Sequence, residues 1–157
     1  MREDRQTESV VITKTVRLVA PFIFALGLFT MFHGAKSVGG GFQGGVIVAS
    51  VVVTIAFAFG IDQTGRWLNR AVLLTCAVSG VVVFALVGVL PGLYDGTFLE
   101  FTAYPGKKGA LYAIEIVEVG IGVTVAATIV ILFFEISGGF DADREGSGDA
   151  EPEEVFE

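Results

Sequence analysis

Residues Ala71–Leu90 read AVLLTCAVSGVVVFALVGVL, twenty consecutive residues without a charge. About 20 apolar residues, each rising ~1.5 Å along a helix, cross the ~30 Å hydrocarbon core of a bilayer. Strands of a membrane barrel would instead alternate polar and apolar residues over about ten positions, a pattern that this stretch lacks. The stretch therefore predicts a transmembrane α-helix.

Three further apolar segments accompany it, at about residues 16–32, 43–61 and 111–136. Backbone exposed to lipid must satisfy its own hydrogen bonds, so segments of this length are predicted to be helices. The first segment is short for a span, but the Arg17 side chain can extend it by reaching the headgroups. The sequence thus predicts an all-α integral membrane protein with four transmembrane helices within residues 15–137.

The overall composition agrees with a membrane protein, and its charge is confined to one end. Of the 157 residues, 53% are hydrophobic and 17% charged, against roughly 25% charged in soluble domains. Residues 141–157 hold eight acids and one arginine, while the rest of the chain is balanced at nine acids and nine bases. A nucleic-acid binder is excluded because no basic surface is available. The single cysteine, Cys76, excludes an intrachain disulfide and a cysteine-based structural zinc site.

The acidic C-terminal segment, residues 138–157, combines charge with Gly, Ser and Pro. This composition is typical of a disordered, solvated tail. Two alternatives remain for it: a docking segment for a partner, or an adaptation to high salt.

The distribution of Lys and Arg predicts the orientation, because cytoplasmic segments carry the excess of these residues. Seven lie in the arm of residues 1–14, at the start of the first span, in the second connection and in the tail, against three on the other side: Lys36, Lys107 and Lys108. Both termini are therefore expected in the cytoplasm. The alternative of a cleaved signal peptide is disfavoured, since the hydrophobic stretch starts late and a glycine cluster follows it.

A glycine-rich segment, FHGAKSVGGGFQGG, covers residues 32–45. Its pairs Gly40 with Gly44 and Gly41 with Gly45 have the spacing that lets helices pack closely in lipid. A phosphate-binding loop is a poor match, because no Gly-Lys-Ser/Thr follows and the segment opens a membrane helix. We therefore interpret the segment as a site of close backbone approach.

His33 is the first ionisable residue of this segment. An imidazole titrates near neutrality, so His33 is a candidate titrating group on a proton route. The alternative is a histidine at a helix end that hydrogen-bonds loop carbonyls. As a lone histidine it is a weak metal-ligand candidate, and we expect neither a metal site nor a cofactor.

Glu115 and Glu118 lie within the fourth apolar segment. Three residues apart, they differ by about 60° around a helix and share one face, which Gly122 and Ala126 continue. Carboxylates within a membrane are costly and usually face protein or water, so both are ion-route candidates. Alternatively, the helix begins later and both acids are interfacial, as expected of Glu135.

The segment FHGAKSVGGGFQGG resembles the His-Gly-x-x-Ser-Pro-Gly-Gly-Gly-Phe-x-Gly-Gly signature of the MrpB/MnhB family, membrane subunits of the Mrp/Mnh-type multisubunit sodium/proton antiporters. Related modules occur in membrane-bound hydrogenases akin to respiratory complex I. Residues 118–126, EVGIGVTVA, are similar to the last helix of that family. The resemblance covers about residues 15–137. Two departures are Val38 in place of the usual proline and Lys36 in place of a neutral residue.

The resemblance implies an accessory membrane subunit, needed for assembly, of a complex that exchanges cytoplasmic sodium for external protons. It is expected in the cell membrane, in contact with the bilayer and other membrane subunits, with sodium and protons moving through the complex. The ion-route candidates are His33, Lys36, Glu115 and Glu118. The motif residues expected to form the loop and pack helices are Gly34, Gly39, Gly40, Gly41, Phe42, Gly44 and Gly45.

The sequence itself also indicates that the chain is one subunit of a larger assembly. Four spans without a matching pair of broken repeats are too simple for a complete secondary transporter. We expect no enzyme activity and no catalytic residues. The alternatives are the equivalent subunit of a redox-driven complex related to complex I, a membrane scaffold without ion contact, and a small independent channel.

Overall fold

The computed structural model describes residues 2–34, 39–106 and 108–138. In these ranges every regular element is a helix, and the five α-helices are α1 (Arg2–Phe32), α2 (Gly41–Phe59), α3 (Ile61–Trp67), α4 (Arg70–Val89) and α5 (Gly109–Ile136). Two short 3-10 helices, Leu90–Tyr94 and Phe101–Ala103, lie in the connection between α4 and α5.

Four segments are long and apolar enough to cross a membrane: Val10–Phe32, Gly41–Phe59, Arg70–Tyr94 and Gly109–Ile136. The prediction of an all-α protein with four transmembrane helices is confirmed. The acidic tail expected at residues 138–157 lies, apart from Gly138, outside the described residues.

Helix α1 starts earlier than the apolar segment expected from residue 16. Val10, Val11 and Ile12 extend its apolar surface, and only Lys14 adds a charge before Arg17. Basic side chains near the end of a span can reach the headgroups while their stems stay in lipid. The apolar part of α1 therefore begins at Val10.

Helix α2 ends at Phe59 because Gly60 turns the chain, with a φ of 99° that favours glycine. Ile61, expected as the last residue of the second span, instead begins the short helix α3. Helix α4 then starts behind Asn69, whose side-chain oxygen accepts a hydrogen bond from the Ala71 N–H at 2.9 Å. This is a standard N-terminal cap.

The four long helices pack in the order α1, α2, α5, α4. Helix α1 packs on α2, α2 on α5 and α5 on α4, while α1 touches α5 over a smaller area. In the described part of the chain, α4 makes no comparable contact with α1 or α2. Helices α2 and α5 are thus central, and α1 and α4 are the outer helices.

Two small clusters of buried side chains lie at opposite ends of α5. One cluster contains Ala49, Ala56, Val130 and Phe134, and the other contains Val87, Ala113 and Val117. Between the clusters, glycines bring the helix backbones together. Small residues suit this role, because lipid supplies no hydrophobic force between helices and close van der Waals packing must hold them.

Candidate functional site

The predicted site lies where α1 ends, α2 begins and α5 completes its first turns. His33 follows α1 directly, and its N–H donates to the Phe29 carbonyl oxygen at 3.1 Å. Its imidazole stacks on the Phe29 ring with 4.1 Å between centroids. The His33 side chain is exposed at the surface of the chain. Lys36 lies outside the described residues.

The carboxylate of Glu118 packs against Gly34, just after α1, and near Gly40, just before α2. A β carbon on Gly34 would stand 2.7 Å from Oε1 of Glu118 and would overlap Oε2. A β carbon on Gly40 would lie 3.7 Å from the same Oε1 atom. Oε2 of Glu118 is buried. The structure therefore brings the Glu118 carboxylate together with the glycine segment. Its contact there, Gly34, is the residue that follows His33.

Gly41 lies against the backbone of the same α5 residue. A β carbon on Gly41 would overlap the Glu118 carbonyl oxygen and would stand 2.6 Å from its carbonyl carbon. One turn along α2, a β carbon on Gly45 would approach the Gly122 carbonyl oxygen to 2.5 Å. The spacing of Gly41 and Gly45 thus matches one continuous crossing of α2 over α5.

The other pair of the motif, Gly40 and Gly44, contacts two different helices: Gly40 is near Glu118 of α5, and Gly44 is near Gly27 of α1. Gly44 faces α1, where a β carbon would stand 2.8 Å from the Gly27 carbonyl oxygen. Gly39 packs beside Thr30, with 3.2 Å between its built β carbon and the threonine methyl. Phe42 points outward and is 63% exposed. The glycines of the motif therefore face inward to α1 and α5, and the phenylalanine faces the surroundings.

Glu115 occupies a different side of α5 from the glycine segment. It lines a cavity of about 530 Å³ between α4 and α5, together with Ser79, Gly80 and Phe32. Phe32 is the last residue of α1 and Glu118 packs beside Gly34. Both carboxylates thus lie near the end of α1, Glu115 beside its last residue and Glu118 beside the residue two positions further on.

The three glutamates of α5 lie at two different levels, with Glu115 and Glu118 near its N-terminal end and Glu135 near its C-terminal end. Helix α5 has 28 residues, so it is about 42 Å long and exceeds the ~30 Å hydrocarbon core. Glu115 and Glu118 lie roughly 9 and 14 Å from its N-terminal end at the helical rise. Glu135 lies at the opposite end, where it forms an ion pair of 2.6 Å with Arg70. That pair is half exposed and outside the site.

The connection between α4 and α5 closes over this end of the bundle. The Tyr104 hydroxyl donates to the Val87 carbonyl oxygen at 2.5 Å, and the Phe98 ring covers Gly88. Burial raises the pKa of the Tyr104 phenol above its ordinary value, and Tyr94 adds to the shift. These contacts tie the connection to the end of α4.

A second close crossing, between α4 and α5, was not predicted from the sequence. A β carbon on Gly80 would overlap Oγ1 of Thr124 and the Gly120 carbonyl oxygen. The Thr124 hydroxyl also donates to the Ala77 carbonyl oxygen of α4 at 3.0 Å. The available signal was Gly80, one of two glycines in the apolar span, which follows Ser79 in the middle of the helix.

Comparison with known proteins places this chain in a family. The family described as "Domain related to MnhB subunit of Na+/H+ antiporter" matches residues 11–131. A protein of Staphylococcus haemolyticus (strain JCSC1435), named "Putative antiporter subunit mnhB2", is 29% identical over 139 residues, 84% of this chain and 97% of its own length.

Two further relatives have the same kind of match. The "Putative antiporter subunit mnhB2" of Staphylococcus aureus (strain MRSA252) is 28% identical over 140 residues, 84% of this chain and 97% of its own length. "Uncharacterized protein MJ1307" of Methanocaldococcus jannaschii is 30% identical over 122 residues, 72% of this chain but 46% of its own length. Since the family match covers most of the chain, including the glycine segment and the first turns of α5, the chain belongs to the MnhB family of Na+/H+ antiporter subunits.

Proposed function

We propose that this chain is an accessory subunit of a multisubunit antiporter that exchanges cytoplasmic sodium for external protons across the cell membrane. Its relatives are named antiporter subunits, and four membrane-length helices fit a multi-pass membrane subunit. Both termini lie in the cytoplasm in this proposal, as the distribution of Lys and Arg indicates.

The observation that carries a direct role in ion movement is the position of the Glu118 carboxylate. Its Oε2 atom is buried, it lies roughly 14 Å along α5, and it packs on Gly34 beside His33. A buried ionisable group on a membrane-spanning helix usually borders an ion pathway, because burial of a charge in a membrane is costly. We assign Glu118 and His33 to the border of a proton or sodium route at the interface with partner subunits.

The outer helices support assembly with those partners. Large apolar side chains on α1 and α4 are exposed, among them Phe22 at 71% and Val89 at 62%. Such surfaces suit lipid and the helices of other membrane subunits. The proposed subunit therefore has a packed interior along α2 and α5 and two outer faces available for partners.

The test is Glu118→Gln in the complete complex, assayed in membrane vesicles by sodium-dependent proton movement with a pH-sensitive dye. We expect the complex to assemble and the transport to fall to background, because the amide keeps the shape but cannot exchange a proton. Glu135→Gln is the matched control, since Glu135 is on the same helix but 39% exposed beside Arg70. Wild-type transport by Glu118→Gln at normal complex levels would instead favour a purely structural scaffold.

A double variant tests whether His33 acts together with Glu118. Residues that act as one unit are not additive, so His33→Ala added to Glu118→Asp, which should retain part of the transport, should lower transport no further than the more severe of the two single variants. Complex levels on native gels must be normal in each variant. If the Glu118→Gln variant does not assemble, Glu118→Asp is tested instead, because it keeps the carboxyl group and should keep part of the transport. Equal loss of assembly in both variants would assign Glu118 to helix packing.

A further inference from the structure

A groove between α1 and α2 lies at the end of the bundle opposite the glycine segment. We call it the α1–α2 groove; its volume is about 540 Å³, and Phe24, Val52 and Ile55 form its apolar walls. Arg17 and Trp67 also line it. Arg17 is next to the end of α2, with its guanidinium carbon 5.5 Å from the Phe59 ring centroid.

The end of α2 sets Arg17 near the membrane surface, while the apolar part of α1 continues seven residues further, to Val10. Helix α2 has 19 residues, so it spans about 28 Å, close to the ~30 Å of the hydrocarbon core. Phe59 is its last residue, and Arg17 contacts that residue. Trp67 is 66% exposed at the same end, and aromatic side chains of this type concentrate at the headgroup level.

The apolar part of the groove runs from this level into the membrane. From Arg17 to Phe24, and from Phe59 back to Val52, the helical rise covers roughly 10 Å. The groove therefore has a cationic mouth at the headgroups and an apolar floor beneath it, which matches the two parts of a phospholipid.

The charge at the mouth favours an anionic headgroup. Among the residues that the structure describes, none forms an ion pair with Arg17. A guanidinium binds phosphate oxygens through two parallel N–H bonds, which an ammonium cannot do. A single basic side chain at the membrane surface already attracts anionic lipid.

We propose that the α1–α2 groove holds one acyl chain of an anionic phospholipid whose phosphate binds Arg17. This site is separate from Glu118 and does not depend on the transported ion. The lipid would lie in the groove along α1 and α2, beside the hydrogen bond of 3.2 Å from the Thr13 hydroxyl to the Ala58 carbonyl oxygen that joins the two helices at this end.

The experiment uses the assembled complex, purified through a tag on this chain and placed in nanodiscs. The probes are phosphatidylglycerol and phosphatidylcholine, each with a photoactivatable diazirine in the middle of one acyl chain. After illumination, mass spectrometry measures labelling of the peptides that carry Phe24, Val52 and Ile55. We expect phosphatidylglycerol to label these peptides about fivefold more than phosphatidylcholine, the effect of one basic residue at an anionic surface.

Two pairs of variants separate the headgroup contact from the acyl-chain contact. Arg17→Gln should remove the preference for phosphatidylglycerol, while Arg66→Gln, on an exposed residue that does not line the groove, should keep it. Ile55→Trp should lower labelling by both lipids. Leu18→Trp, at a position 67% exposed and outside the groove, should not.

Equal labelling by the two lipids in the wild type would overturn the proposal, as would an unchanged preference in Arg17→Gln. A photochemical crosslink from Ile55 to another subunit, with no lipid label, would show that a protein helix fills the groove and would also overturn it. If Arg17→Gln does not assemble, the wild-type lipid ratio and the two Trp variants still decide the outcome.

Discussion

Gly41 in α2 packs directly on the backbone carbonyl of Glu118 in α5, with no room for a β carbon between them. The same α5 residue places its carboxylate against Gly34. A single residue of α5 is therefore held by its backbone from α2 and by its side chain from the turn after α1. The depth and direction of the Glu118 carboxylate depend on this glycine contact.

Gly41→Ala should destabilise this subunit itself, because the contacts of Gly41 lie within the chain. Overpacking of a tight interior costs about 1–3 kcal/mol, and the overlap with the Glu118 carbonyl favours the upper end. The measurement is the temperature at which the detergent-solubilised complex loses this subunit. Gly92→Ala is the control, since nothing lies within 4 Å of a β carbon there. Equal melting of both variants would contradict the close crossing.

The crossing of α4 and α5 predicts a graded pair of effects. Gly80→Ala forces a methyl group against Thr124 and the Gly120 carbonyl, and should cost about 1–3 kcal/mol. Thr124→Val removes only the hydrogen bond to Ala77, for which about 0.6 kcal/mol is typical within membranes. Both values are measured from unfolding of the full chain in mixed micelles. A larger effect of Thr124→Val than of Gly80→Ala would contradict this packing.

Glu100 predicts a pH-dependent turn in the connection between α4 and α5. The Thr97 N–H and hydroxyl donate to Oε2 of Glu100 at 2.8 and 3.0 Å, and these bonds lower the pKa of the Glu100 carboxyl from its ordinary value of 4.5. Because the pKa is lower in the folded turn, the stabilisation is present above the ordinary value and is lost as the pH falls through the folded value.

Hydrogen exchange of the Thr97 amide, corrected for its intrinsic pH dependence, measures this effect. Protection should decrease as the solution is acidified below the ordinary range of a glutamate. Glu100→Gln should show weaker protection that does not change over the same range. Identical pH dependence in the wild type and in Glu100→Gln would show that another group controls the turn.

The proposed orientation predicts opposite accessibility for the two ends of α4. In a Cys76→Ala background, Thr97→Cys should react with an impermeant maleimide in intact cells. Gln63→Cys, in the exposed part of α3, should react only after the membrane is permeabilised. Reaction of both cysteines from outside would reject the four-span topology, and reaction of Gln63→Cys alone would invert the orientation.

The helices could be predicted from hydropathy because the bilayer sets the length and polarity of each span. Which helices pack against each other could not be predicted in this way, because an apolar residue on a helix surface suits contact with lipid and contact with another helix equally. The spacing of Gly40 with Gly44 and of Gly41 with Gly45 indicates close packing, but only the structure identifies α1 and α5 as the partners.

Two local features also lay beyond the sequence patterns. Helix α3 begins within the predicted second span, because Gly60 adopts a positive φ that the hydropathy of its neighbours does not indicate. Glu115 and Glu118 share a helix face by spacing, yet they have different neighbours at the end of α1: Glu115 lines a cavity with Phe32, and the Glu118 carboxylate packs on Gly34. Which neighbour each acid meets depends on where α1 ends relative to α5.

The helix order has a consequence for biogenesis. Helix α4 packs on α5 and has no comparable neighbour among the other described helices, and α5 leaves the ribosome after α1, α2 and α4. Until α5 inserts, the α1–α2 hairpin and α4 are separate units in the membrane, and the glycine face of α2 is covered by lipid. Insertion of α5 then joins the two units in one step and completes the surroundings of Glu118. A nascent chain arrested before residue 109 should therefore be a substrate for membrane quality control.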